Sequence, residues 1–315
     1  MRTVLITGAA GFLGRRLTRA LIAAGRIGGE PIGRLVLADL AHQDPPRDHG
    51  IEIVTRQGDL ADADFVDSLV AENADSIFHL AALLTLQAEE DPDHAFVVNV
   101  DALRRLISGA SGCPRVVFTS SIAIHGGALP DEVGDDLNPV PTTTYGAHKA
   151  INELQIADYT RNGRIDGRCL RLPIVVTRPG TPQPAISDQV AGILREPLSG
   201  VDLAAPLAPE TLIPIASAGA VVAALMRLHD VDAADLPDKR ALNLPALTVS
   251  VADMAAAATR HGATGQVSYA PDKTVQAIVD GWPRRFTSIN AGRLGIEPDA
   301  DLDAVIRDYL NHKEG

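Results

Sequence analysis

The residues best suited to chemistry are a tyrosine and a lysine four positions apart, in Tyr145-Gly146-Ala147-His148-Lys149. On a helix this spacing puts both side chains on one face. A free tyrosine ionises near pH 10, too high for a base at neutral pH. A neighbouring ammonium favours the phenolate and lowers that value. The pair could therefore take a proton from a hydroxyl or return one to a carbonyl.

A second constellation is Gly8-Ala9-Ala10-Gly11-Phe12-Leu13-Gly14, with glycines at intervals of three and three. It follows an apolar run, Val4–Thr7, and opens a helical pattern. Glycines there allow a tight turn and close approach of backbone to a pyrophosphate, while the helix start supplies N–H groups and the positive end of its dipole. Gly8, Gly11, Phe12, Leu13 and Gly14 are thus candidate dinucleotide ligands. Asp39 ends the second apolar run, 25 positions after Gly14. A carboxylate there suits ribose hydroxyls and repels a 2′-phosphate, which favours NAD over NADP. Arg15 and Arg16 are expected to be solvated, the alternative being attraction of a 2′-phosphate. With NAD present, Lys149 would also hold the nicotinamide ribose, and the oxidised ring would add positive charge beside Tyr145.

These residues need a scaffold. Apolar runs at Val4–Thr7, Leu35–Ala38, Ile51–Thr55, Ile77–Leu80, Val116–Thr119 and Cys169–Leu172 alternate with helical patterns at Leu13–Ala24, Asp64–Glu72, Phe96–Ser108 and Tyr145–Arg161. Nearly continuous apolar strands are buried on both faces. Their alternation with helices predicts an α/β fold, a doubly wound parallel Rossmann sheet. After Pro173 the pattern changes: residues 177–214 are Pro-rich and read mostly as loop, with helices expected at Ala216–Leu228, Val251–His261 and Leu302–Leu310 and a strand at Leu242–Leu244. The expected division is residues 1–172 for the nucleotide and 173–315 for a smaller substrate-binding domain, with about 215–245 returning to the first.

The bulk numbers narrow the partners. A net charge of -12 repels a phosphate backbone, so nucleic acid is not expected. No apolar run is long enough to span a membrane, and no secretion signal is read at the start. Cys113 and Cys169 form no CxxC and no metal-ligand set, so the reading is two reduced thiols in a cytoplasmic protein and no metal.

The three-and-three glycine spacing and the later Tyr145…Lys149 pair resemble the short-chain dehydrogenase/reductase superfamily, in its extended branch, the NAD-dependent epimerase/dehydratase family. The resemblance implies further roles. Asp59 and Leu60, in Gly58-Asp59-Leu60, would flank adenine. Leu80, Ala81 and Ala82 would line the cofactor with backbone, and Asn99 would support the site. Thr119, Pro173 and Val176 would also border the cofactor. Ser121, with Ser120 as the neighbouring alternative, would hydrogen-bond the reacting oxygen. His125 lies where many sugar-nucleotide members carry a tyrosine and could touch substrate. Arg178 follows the sixth strand and could pair with a substrate carboxylate. Family members commonly dimerise through two helices, here around residues 96–108 and 145–161.

Stretches outside the catalytic helix (Asp166–Pro173, Arg195–Leu198, Asn243–Pro245 and Gly281–Pro283) resemble members that oxidise a four-carbon sugar acid at C2. Three rivals stay open: a nucleotide-sugar 4-epimerase, an L-threonine dehydrogenase, and an NAD-binding sensor without turnover. Among the remaining residues, His148 is expected to face outward, His79 to be structural, the acidic stretch Asp131–Asp136 to be a solvated loop, and Trp282 to pack the smaller domain.

Overall fold

The computed structural model describes residues 1–44, 50–176 and 185–312. The chain divides into two compact units. The first comprises Met1–Ile124, Pro141–Arg171 and Val222–Leu242. The second comprises His125–Val140, Leu172–Val221 and Asn243–Gly315.

The first unit is built on β1 (Arg2–Thr7), α1 (Phe12–Ala24), β2 (Glu30–Asp39), β3 (Glu52–Gln57), α2 (Ala63–Val70), β4 (Ser76–His79), α3 (Thr85–Glu90), α4 (Pro92–Phe96), α5 (Ala102–Gly109), β5 (Arg115–Ser121), α6 (Thr144–Arg161), β6 (Asp166–Leu172), α7 (Ala218–Asp230) and β7 (Ala241–Asn243). One turn of π-helix, Val97–Asp101, joins α4 to α5. The main sheet runs β7-β6-β5-β4-β1-β2, with β3 beside β2 and a short antiparallel strand, Arg26–Ile27, on the same neighbour. β1 pairs in parallel with both β2 and β4, and β4 with β5. The fold is therefore α/β and doubly wound. Its order reverses between β1 and β4, where open α/β sheets bind ligands beyond the strands' carboxyl ends.

Burial explains the strand composition. Val4, Leu5 and Ile6 of β1 and Leu35–Ala38 of β2 are almost fully buried, as both faces are covered. Leu5, Val36, Val66, Leu69, Leu103, Ile107, Phe118 and Ile156 share one apolar core that seats α2, α5 and α6 against the strands. Helix α1 ends at Gly25, whose left-handed conformation returns its N–H to the Leu21 carbonyl.

The second unit has more regular structure than its Pro-rich sequence suggests. Residues 186–198, expected as loop, form a helix (Ile186–Leu198) with Pro197 in its last turn. Periodicity around several prolines hid it, although Arg195 and Asp188 pair across two turns of it. Strand Leu212–Ser217 pairs in parallel with Ile174–Val176 and antiparallel with Leu247–Ser250. Helices Val251–Arg260 and Leu302–His312 lie close to the expected spans. The Asp131–Asp136 stretch is not wholly solvated. Asp135 is buried, accepting from the backbone of Asn243, from the Ser288 hydroxyl and from the Asn290 amide. A carboxylate so supplied with donors stays inside.

Candidate active site

The nucleotide loop lies at the switch point. Gly8 follows β1 with φ +74°, and Gly11 begins α1 with no side chain capping the first-turn N–H groups. A side chain on Gly14 would overlap the Gly8 carbonyl oxygen, so the turn can close only with glycine there. Phe12 and Leu13 occupy the first turn. Asp39, the last residue of β2, accepts from Ala10 N–H at 2.9 Å through one oxygen and from Ala41 N–H at 2.9 Å through the other. It thereby holds the glycine loop, and each oxygen keeps a lone pair for a hydroxyl. Arg15 is exposed and donates to the Ala10 carbonyl at 2.7 Å.

Across the crevice, Leu80, Ala81 and Ala82 follow β4, and the Ala81 backbone packs against Gly8. Asn99, in the π turn, clamps this segment. Its amide oxygen accepts from Leu83 N–H at 2.8 Å and its amide nitrogen donates to the Leu83 carbonyl at 3.0 Å. In turn the Asn99 carbonyl accepts from Asn152 of α6 at 2.7 Å. Asp59 and Leu60 form the turn after β3, where Asp59 accepts from Ala61 N–H. The uncapped helix start, the close-packed turn at Gly8 and Gly14 and the acidic strand end fit a bound dinucleotide.

Ser121 and Tyr145 come together because α6 packs close to the turn after β5. A side chain on Gly146 would collide with the Ala123 carbonyl oxygen. Thr143 caps α6 by accepting from Gly146 N–H, and Glu89 accepts from Thr144 N–H at 2.7 Å. Ser121, rather than Ser120, shares a hydrogen bond with the Tyr145 hydroxyl, and its oxygen also accepts from Ala123 N–H at 3.1 Å. The Ser120 hydroxyl is buried with no partner among the described residues.

Lys149 is buried. It donates to the Thr119 carbonyl at 2.6 Å and lies 4.5 Å from the Phe118 ring centre and 5.4 Å from that of Tyr145. Burial pushes its ammonium down to about 7. Burial also pushes the Tyr145 phenol up to about 12, against the smaller opposing effect of Ser121. The lowering expected from the sequence rests on NAD beside the ring as well as on Lys149.

Two histidines sit differently from expectation or add to it. His148 faces inward: it is buried, edge-on to Phe96 at 5.5 Å, with Nδ1 3.4 Å from the Asn99 amide nitrogen. His79 ends β4, shares a hydrogen bond with Thr7 at 2.8 Å, and leaves Nε2 without a partner among the described residues. Burial, reinforced by Lys149, pushes it down to about 3, so it is neutral. Sequence reasoning also missed Glu153 and Arg171 as a buried pair behind Lys149. The four-residue step from Lys149 to Glu153 was the available signal.

His125, Pro173 and Val176 belong to the second unit. His125 lies edge-on to Phe286 there, 6.2 Å between ring centres. Arg178 lies outside the described residues. Among the described residues no group of His, Cys, Asp and Glu is placed to hold a metal ion, and no helix is long and apolar enough to cross a membrane.

Comparison with known proteins adds three findings. The sequence profile of the NAD dependent epimerase/dehydratase family matches residues 4–203. A curated relative named D-erythronate dehydrogenase, from Cupriavidus necator, is 41% identical over 98% of this chain and 97% of its own length; a second of that name, from Haemophilus influenzae, is 34% identical over 98% and 99%. A crystal structure described as a nucleoside-diphosphate-sugar epimerase from Agrobacterium tumefaciens superposes with a TM-score of 0.94 at 32% identity, covering 100% of this chain and 95% of that one.

Proposed function

Because the chain belongs to the NAD dependent epimerase/dehydratase family and is an NAD-dependent oxidoreductase, we propose that it oxidises a small sugar acid, D-erythronate, at C2 to the 2-oxo acid. The observation that carries this reading is the 41% identity, over nearly the whole of both chains, to a relative named for that activity. NAD, when bound, supplies the hydride acceptor. Gly8, Gly11, Phe12, Leu13 and Gly14 would hold its pyrophosphate, Asp39 its adenosine ribose, Asp59 and Leu60 its adenine, and Leu80–Ala82, Asn99, Thr119, Pro173 and Val176 its remaining length.

The chain's own residues then move the proton. Tyr145 takes it from the substrate hydroxyl, and Ser121 donates a hydrogen bond to the same oxygen as the carbonyl forms. Burial favours the neutral phenol, so oxidation depends on positive charge beside it. Lys149 is the resident group that can supply it. The rate of oxidation should therefore rise with pH only up to about 7, where Lys149 begins to lose its proton. Arg178 and His125 are the proposed contacts to the sugar acid. Exposed Phe96, Val97 and Leu154 on the helices around residues 92–109 and 144–161 favour a homodimer, and the composition favours a cytoplasmic enzyme.

The epimerase description of the Agrobacterium structure supports a second reading, a nucleotide-sugar epimerase. The two differ in the fate of the hydride. Pure protein incubated with NAD and D-erythronate, beside L-threonate, L-threonine and UDP-glucose, decides between them by NADH absorbance. NADH formed with erythronate alone supports the sugar-acid reading. No NADH with any acid, together with UDP-galactose formed from UDP-glucose, would replace it with the epimerase.

A further inference from the structure

Behind the Tyr145–Lys149 pair, one more helical turn along α6, lies a buried carboxylate. Tyr145, Lys149 and Glu153 follow at four-residue steps, and Lys149 and Glu153 are 3% and 5% exposed. Neighbours at this step touch on a helix face. Glu153 is gripped by Arg171 of β6 in a two-pronged pair, 2.9 Å from Nε to one oxygen and 2.8 Å from Nη2 to the other. Such geometry fixes a carboxylate's position as well as its charge. Cys169, two residues earlier on the same strand, projects from the same side as Arg171. It too is fully buried, which holds its thiol neutral.

Among the described residues, the groups facing Lys149 can therefore be enumerated. On α6 they are Tyr145 and Glu153. From β6 come Cys169 and, beyond Glu153, Arg171. From β5 come the Thr119 carbonyl and the Phe118 ring, and from β4 the neutral His79. Glu153 is the anion in this set. A buried ammonium with no anion near it sheds its proton, and a neutral Lys149 could no longer favour the Tyr145 phenolate.

We propose that Glu153, clamped by Arg171, is a positioning residue that acts through Lys149, keeping its buried ammonium charged and directed at the site. This rests on the reading of Lys149 as part of the active site. The Glu153–Arg171 pair is thereby more than a fold contact, since its charge is felt by the residue that works on Tyr145.

The chain contains four lysines, Lys149, Lys239, Lys273 and Lys313. Protein labelled with carbon-13 at lysine Cε therefore gives four signals, and Lys149→Arg identifies the one of interest. Titrated without NAD or substrate, Lys149 in Glu153→Gln should lose its proton about one pH unit below wild type, while Glu153→Asp should stay near it. The alkaline limb of the rate profile should move down with it. Should Glu153→Gln fail to fold, Glu153→Gln with Arg171→Gln leaves neither member of that pair stranded, and a smaller downward shift is expected, because a more distant cation leaves with the anion. An unchanged Lys149 titration in a folded variant lacking the Glu153 charge would overturn the proposal. Full activity in Lys149→Met would instead overturn the reading of the site on which it rests.

Discussion

The two edges of the main sheet in the first unit gather the same kinds of side chain to opposite ends. At the amino-terminal edge Ser76, which begins β4, shares a hydrogen bond with His229 at 2.8 Å, and His229 pairs with Asp230 at 2.7 Å. This Ser-His-Asp line has the connectivity of a hydrolytic triad. Yet Ser76 and His229 are buried, and the surrounding charges are matched: Asp166 receives Arg115, Arg168 and Arg240. Arg168 also donates to the carbonyls of Leu228, His229 and Val231, closing the end of α7. At the carboxyl-terminal edge the lysine meets a carbonyl and two rings, the tyrosine meets a serine, and a histidine nitrogen and a serine hydroxyl have no partner among the described residues. Residue type does not separate chemistry from structure here; satisfaction does. Groups whose bonds are complete lock the fold, and groups held short of completion can bind and react.

That contrast can be broken by experiment. Tyr145→Phe removes the proton acceptor, so turnover should fall by about 10²–10⁴-fold while NAD binding, followed by fluorescence titration, stays near wild type. Loss of both would make Tyr145 a structural residue like those of the other edge. Arg168→Met leaves three carbonyls without this donor, while Asp166 keeps Arg115 and Arg240. Denaturant unfolding should show a loss of about 3 kcal/mol, about 1 for each carbonyl left without a donor, with turnover measured in the folded range little changed. A large fall in turnover with unaltered stability would erase the distinction.

Gly146→Ala tests the joint that brings Ser121 to Tyr145. The added methyl has to displace the Ala123 carbonyl, so turnover should drop about tenfold, with about 1–3 kcal/mol of stability lost. The smallest effect is on pH. Burial holds His79 and His229 below the ordinary histidine value in the folded protein. The unfolded chain takes up their protons as pH falls past about 6.5, so stability declines in that direction. Between about pH 7.5 and pH 5.5 the loss from His79 should be about 1 kcal/mol, with His229 adding to it in the same direction. Urea midpoints at the two values measure it, and His229→Gln should flatten the dependence.

What was legible in the sequence is what local spacing encodes. The glycines at 8, 11 and 14, the acidic end of β2 and the Tyr145–Lys149 step each lie within a few residues of one element boundary. The alternation of apolar runs and helices sufficed for the doubly wound sheet. What was not legible depends on distant partners. His148 is drawn inward by Phe96 and Asn99, some fifty positions earlier. Asp135 is buried by donors near residues 243 and 288–290. The raised Tyr145 phenol reflects desolvation, which no spacing records. The helix at Ile186–Leu198 was lost among prolines that, in the folded chain, mostly flank it.

The last segment of the first unit, Val222–Leu242, arrives only after the chain has passed through Leu172–Val221 of the other. Cys169 N–H waits for the Arg240 carbonyl, and Arg168 for carbonyls at residues 228–231. On the ribosome, then, the first unit cannot be finished before the segment between its parts has been made. Its edge is sealed only once residues up to 242 have been made, which ties completion of that sheet to synthesis of the segment between.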